Sequence, residues 1–160
     1  MKEQLLTKSV LDAWTSHVSR VDQLLDKLSD EQLQREVSPG RNTGTYLLGH
    51  LVAVHDRMLP LLGLGERKYT HLDDAFINSP DKSGKEMPSI AELRSDWKAV
   101  NAELAKQFST LQPSDWFQRH TSVSEEDFAK EPHRNRLSVL ISRTNHLAEH
   151  RGQMLFLEKK

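Results

Sequence analysis

There is no cysteine in this sequence of 160 residues. That excludes disulfides, thiolate metal sites and cysteine nucleophiles, so any metal must sit on imidazole, carboxylate or water. The same absence fits a reducing cytoplasm. Basic charge is not in excess either: 22 Lys and Arg are interspersed with 23 Asp and Glu, for a formal charge of −1. A nucleic-acid surface needs a basic stripe, so nucleic acid is not an expected partner. No apolar run approaches the roughly 20 residues that cross a membrane, and the charged start MKEQLLTKSVLDAW lacks the apolar centre of a signal peptide. The expectation is a soluble cytoplasmic protein with no membrane partner. No internal repeat and no low-complexity tract divides the chain, and a single domain of this size can bury about 70% of its unfolded surface without staples.

Segments that alternate with period two are also missing, whereas four long segments carry helical periodicity, an all-α pattern. From about Lys2 to Leu28, the residues Leu6, Val10, Trp14, Val18, Val21, Leu25 and Leu28 recur every three or four positions and form one apolar stripe. SDEQL predicts a cap and a short helical turn, and VSPGRNTG then breaks the chain before a helix capped near Asn42 or Thr43. That helix, TGTYLLGHLVAVHDRMLPLLG, is apolar around most of its circumference, which makes it the most buried element, with Pro60 and Gly63 ending it. A third helix, from about Ile90 to Leu111, places Leu93, Trp97, Val100, Leu104 and Phe108 on one face, and a last one runs from about Arg136 to Glu158. Between the second and third helices lies a polar connection, from Gly63 to Ser89. Another, with a short helix at Glu125 to Lys130, precedes the last helix. Connections of this length are usually functional or mobile. The pattern predicts a four-helix bundle with long connections between helices 2 and 3 and between helices 3 and 4.

The last helix carries TNHLAEHRGQM, in which His146 and His150 stand four residues apart and hence about 40° apart around the axis, within reach of one ion. They border an apolar arc of Leu137, Leu140, Ile141, Leu147, Ala148, Met154 and Leu155, so spacing alone leaves two readings open: ligands facing into the bundle, or a half-solvated pair. HLAEH also fits the HxxEH pattern of inverted zinc peptidases. That reading fails, because only ten residues follow His150 to supply the downstream acidic ligand. A third ligand is sought on the buried second helix, which offers His50 and His55, both beside apolar positions; the helical wheel does not choose between them. His17, beside Leu6, Leu24 and Leu28, fits a core histidine bonded to a neighbour better than a ligand.

These residues carry a resemblance. A helix with GTYLLGHLVAVHDR after a Pro-Gly turn, followed much later by a C-terminal helix with HLAEHRGQM, resembles the DinB-like family of four-helix bundles, which includes the YfiT-type proteins. The layout matches over the whole chain, and the specific content is the histidine after LLG together with the terminal HxxxHRGQ. In that family the three corresponding histidines bind a divalent cation, commonly zinc or nickel. Carried over, the resemblance assigns His50, His146 and His150 as metal ligands and leaves His55 out.

Three neutral imidazoles with an open coordination position suit a catalytic site. Members of the resembling family include thiol-dependent S-transferases, mycothiol-dependent isomerases and metal-dependent hydrolases. The resemblance therefore implies a metal-binding protein, an enzyme of the thiol S-transferase or hydrolase kind, with a small-molecule substrate and a low-molecular-weight thiol as cosubstrate. The alternative is a non-catalytic binding or dimerisation module whose metal site is structural or vacant. A homodimer is expected, because helices apolar around most of their surface need more cover than one bundle gives. No general acid or base is assigned among the polar residues of the two site-bearing helices, which include Asp56, Arg57, Arg143, Arg151 and Gln153. Arg143 and Arg151 fall inside the apolar arc, where each is expected to pair with a carboxylate, to face another subunit or to lay its stem along the bundle surface. Tyr46 is expected to line the pocket, with Tyr69, Trp116 and Phe117 as aromatic walls.

Overall fold

Apolar periodicity becomes helix along most of the chain. The structure, a computed structural model, describes residues 1–158. Four long helices form the bundle: α1 (Lys2–Lys27), α3 (Gly44–Leu61), α5 (Ile90–Phe108) and α7 (Arg136–Met154). Three short ones, α2 (Asp30–Leu33), α4 (Asp73–Phe76) and α6 (Glu125–Lys130), lie in the connections. No strand occurs among the described residues, and no helix is long and apolar enough to cross a membrane.

Local chemistry sets the helix ends. Thr43 caps α3 through its hydroxyl, which accepts from the Tyr46 amide, and Ser89 and Glu92 close a capping box on α5. Pro60 does not end α3; it sits inside the last turn, and the helix stops one residue later. Gly63, at φ +67°, makes the stop, with the Gly63 amide donating to Pro60 O and the Leu64 amide to Leu59 O, the double bond of a Schellman turn. The remaining carbonyls are met by Thr121, whose amide donates to Leu61 O at 3.0 Å. Arg94 on α5 serves α1 in the same way, its two terminal nitrogens donating to Leu25 O and Leu28 O at 2.6 Å each. The last helix gives way to a 3-10 turn at Leu155–Glu158, shorter than its periodicity predicts.

Within the bundle α3 packs on α5 and α1 packs on α7, and α3 also meets α7. The expectation that α3 is the most buried element is met: Leu47, Leu48, Leu51, Val52, Ala53 and Met58 have no solvent exposure. The apolar arc drawn on α7 is only partly buried. Leu137, Leu140, Leu147 and Met154 enter the core, whereas Ile141 and Leu155 stay exposed. The Gly63–Ser89 connection contains a 3-10 turn and α4, which its polar composition does not announce.

Candidate metal centre

Where α3 meets α7, three histidines converge. His50 Nε2 lies 3.1 Å from His146 Nε2, and His150 Nε2 lies 3.0 Å from the same atom. The three rings form a group that could hold a metal ion, with their ligand atoms all within 4.8 Å of one another.

The outer nitrogens explain why the inner ones point together. His50 Nδ1 is 2.8 Å from the Phe76 carbonyl oxygen, and a carbonyl can only accept, so the Nδ1 carries the proton and Nε2 carries the lone pair. His150 Nδ1 is likewise 2.8 Å from Gln153 Oε1, three residues further along α7. His146 Nδ1 is buried with no hydrogen-bond partner. Two lone pairs therefore face one another, and the single proton that His146 can offer satisfies at most one of them. An ion about 2.0–2.1 Å from each nitrogen would place its ligand atoms roughly 3 Å apart, as found for the two pairs that share His146 Nε2. The residues thus fit a metal.

Electrostatics favour a neutral ring at His146 and at His50. Burial holds His146 down to about 4, helped by His150, His50 and Arg143. Burial also lowers His50, against the opposing pull of its bond to Phe76.

The position of Phe76 rests on two further features. Gly49 lets its ring lie directly against α3, since a side-chain carbon at that position would overlap the ring. Asp56, with no solvent exposure, accepts from Arg67 Nε at 3.0 Å, the Lys68 amide at 2.8 Å and the Tyr69 amide at 3.1 Å. Arg67 also grips both oxygens of Asp73 at 2.7 Å, and Arg57 adds a bond to Asp73 at 2.8 Å. This network folds the connection back on α3 and delivers α4, with the Phe76 carbonyl at its end, to His50. Asp56 is therefore saturated by donors and acts as an anchor.

The other candidates fall elsewhere. His55 is fully buried in the core, its Nδ1 2.8 Å from Asn101 Oδ1 and its ring between Trp14 and Trp97 at 4.8 and 5.0 Å. Burial pushes it down to about 3. His17 Nδ1 is buried without a hydrogen-bond partner, so the bond to a neighbour expected of it is not made there. Tyr46 stacks beside His50 at 6.3 Å and donates its hydroxyl to Ser79 O at 2.8 Å. Trp116 is a core residue packed on Phe108 rather than a pocket wall, while Tyr69 and Phe117 are partly buried against the core. Neither Arg143 nor Arg151 meets a carboxylate among the described residues, and the Nε of each is buried without a partner. A cleft of about 730 Å³ opens beside the 37–42 loop and is bounded by Gln153 and Phe156; none of the three histidines lines it.

Sequence reasoning missed the Phe76 carbonyl, Asn101 and the Arg67–Asp73 pair. Only the polar connection's two acidic residues before an apolar pair, DDAF, hinted at a helical turn there.

This all-helical bundle with a three-histidine group belongs to a known class. The model of the DinB superfamily matches residues 13–154, and the chain belongs to that family. A similar solved structure is a DinB-like protein from Bacillus cereus ATCC 10987, with 24% identity, a TM-score of 0.68, and coverage of 94% of this chain and 89% of that one; it supports the fold. No curated protein matches the chain.

Proposed function

We propose that the protein binds one divalent transition metal, zinc or nickel, through His50, His146 and His150, and that it is a metal-dependent enzyme acting on a small molecule. The reading is carried by the convergence of three Nε2 atoms whose lone pairs have too few protons between them. The reaction best suited to this family and donor set is thiol S-transfer, with a low-molecular-weight thiol as cosubstrate, or hydrolysis. When bound, the ion supplies a Lewis acid that favours deprotonation of a water or thiol in its open position. The chain's own part is to hold the rings: Phe76 O and Gln153 Oε1 fix which nitrogen of His50 and His150 faces inward, and Tyr46 covers one side of His50.

Metal analysis of the purified protein, followed by reloading of the stripped form, is the test. About one ion per chain is expected, with uptake abolished in His146→Ala. Full stoichiometric binding in the His50, His146 and His150 single variants would overturn the assignment. A thiol-transfer and hydrolysis screen of the reloaded protein then tests the chemistry.

The bridging of α3 and α7 by His50 and His146 favours a second reading, in which the metal only braces the two helices of a non-catalytic module. Loss of thermal stability on stripping, with no metal-dependent turnover against a broad panel, would select it. We further propose a homodimer that covers exposed Leu5 and Leu6 of α1 and Ile141 of α7; a monomer mass by light scattering at high micromolar concentration would exclude it.

A further inference from the structure

Arg143 is a feature beside the histidines that the metal leaves unexplained, as are the unpartnered Nε of Arg151 and Nδ1 of His146. Arg143 stands seven residues before His150 and within about 20° of it around the axis of α7, on the same side of the helix. On α3, Arg57 stands seven residues after His50 at the same angular offset. The two helices therefore present two rungs, His50 and His150 on one and the two arginines on the other, with Cα levels about 10 Å apart and His146 at a level between them, about 4.5 Å along the axis from Arg143. Buried Val54 lies between them on α3.

The arginine rung is unbalanced. Arg57 is paired with Asp73 at 2.8 Å. Arg143 makes no hydrogen bond or ion pair with any described residue, its Nε is buried, and burial disfavours its protonated form, with the like charge of Arg57 adding to that. Its charge also bears on His50 and His146. None of the hydrogen-bond partners of the three histidines is a carboxylate: they are a backbone carbonyl, an amide oxygen and one another. Such a site, holding a dication and the Arg143 guanidinium, with Asp73 already taken up by Arg57 and Arg67, is short of negative charge.

We propose that this site takes an elongated small molecule carrying a carboxylate, with its metal-binding atom at the histidine rung, its body over Val54 and its carboxylate held by Arg143. A guanidinium fork matches a carboxylate with two parallel bonds. A single free positive charge suits one negative charge better than a phosphate dianion. The inference rests on the proposed metal site and names the class of ligand that completes it.

The test uses cobalt(II)-loaded protein, whose visible spectrum changes when a thiolate binds the ion. Two probes of matched length are titrated, 4-mercaptobutyrate and the neutral 4-mercapto-1-butanol. The anionic probe is expected to bind about tenfold tighter to the native protein, the range of a charge-assisted hydrogen bond, with the preference lost in Arg143→Gln and partly kept in Arg143→Lys. Equal affinities for the two probes in native protein overturn the proposal, whatever the variants do. A preference that survives unchanged in Arg143→Gln also overturns it. If native protein shows no cobalt spectrum at all, the metal site itself fails and this inference falls with it, an outcome distinct from cobalt bound with equal affinities.

Discussion

His50 Nδ1 and the carbonyl oxygen of Phe76 lie 2.8 Å apart, which joins a side chain of the most buried helix to the backbone of a four-residue helix in a polar connection. That bond decides which nitrogen of His50 faces His146. Everything that places Phe76 therefore bears on the metal centre.

Gly49 is one such determinant. Glycine to alanine inside a helix ordinarily stabilises by about 1 kcal/mol. Here the added methyl would overlap the Phe76 ring, so Gly49→Ala is expected to destabilise by about 1–3 kcal/mol, the usual cost of overpacking. Metal affinity should fall with it, because the Phe76 carbonyl moves. Thermal melts with a metal titration check both, and a more stable variant with unchanged affinity would contradict the account.

Gln153 supports His150 without entering the core. Gln153→Leu removes the acceptor from His150 Nδ1 and is expected to weaken metal binding by roughly 10–100-fold while leaving the stripped protein's melting temperature nearly unchanged. Unaltered affinity in competition with a chelator would show that the bond does not orient the ring.

Asp56 anchors the connection from inside. Asp56→Ala leaves Arg67 without one carboxylate and two backbone amides without their acceptor, so a loss of about 3–5 kcal/mol in denaturant unfolding is expected. Acid should act on the same network through Asp73, which its bonds to Arg67 and Arg57 hold down to about 2. Because the folded value is below the unfolded one, near 3.8, Asp73 contributes stability above that value and loses it as pH falls through about 2. In Asp73→Asn this part of the acid sensitivity should vanish.

His55 gives a separate pH signature. Its value is about 3 when folded and 6.5 when unfolded, so the unfolded chain binds the extra proton between those limits. Stability should be unaffected by this group above pH 6.5 and should fall on acidification below it, with a slope of up to about 1.4 kcal/mol per pH unit. His55→Leu is expected to flatten that slope, at a cost of about 1–3 kcal/mol at neutral pH from the unpaired Asn101 oxygen. An unchanged pH profile between 6.5 and 4 in the variant would refute the assignment.

Sequence alone specified the four helices, because apolar spacing and capping act within a few residues of one another. It also determined that His146 and His150 can reach one ion, since both sit on one helix. It left His50 and His55 undivided, both being bordered by apolar residues on α3, and family resemblance alone chose His50. Tertiary structure separated them: α7 and the Phe76 carbonyl come to His50, whereas α1 and α5 bring Trp14, Trp97 and Asn101 to His55. It also left Arg143 without a carboxylate among the described residues, which removes one of the three readings its place in an apolar arc allowed. Which residues meet across a bundle depends on how whole helices rotate and slide to bury their stripes together, and no local pattern records that choice.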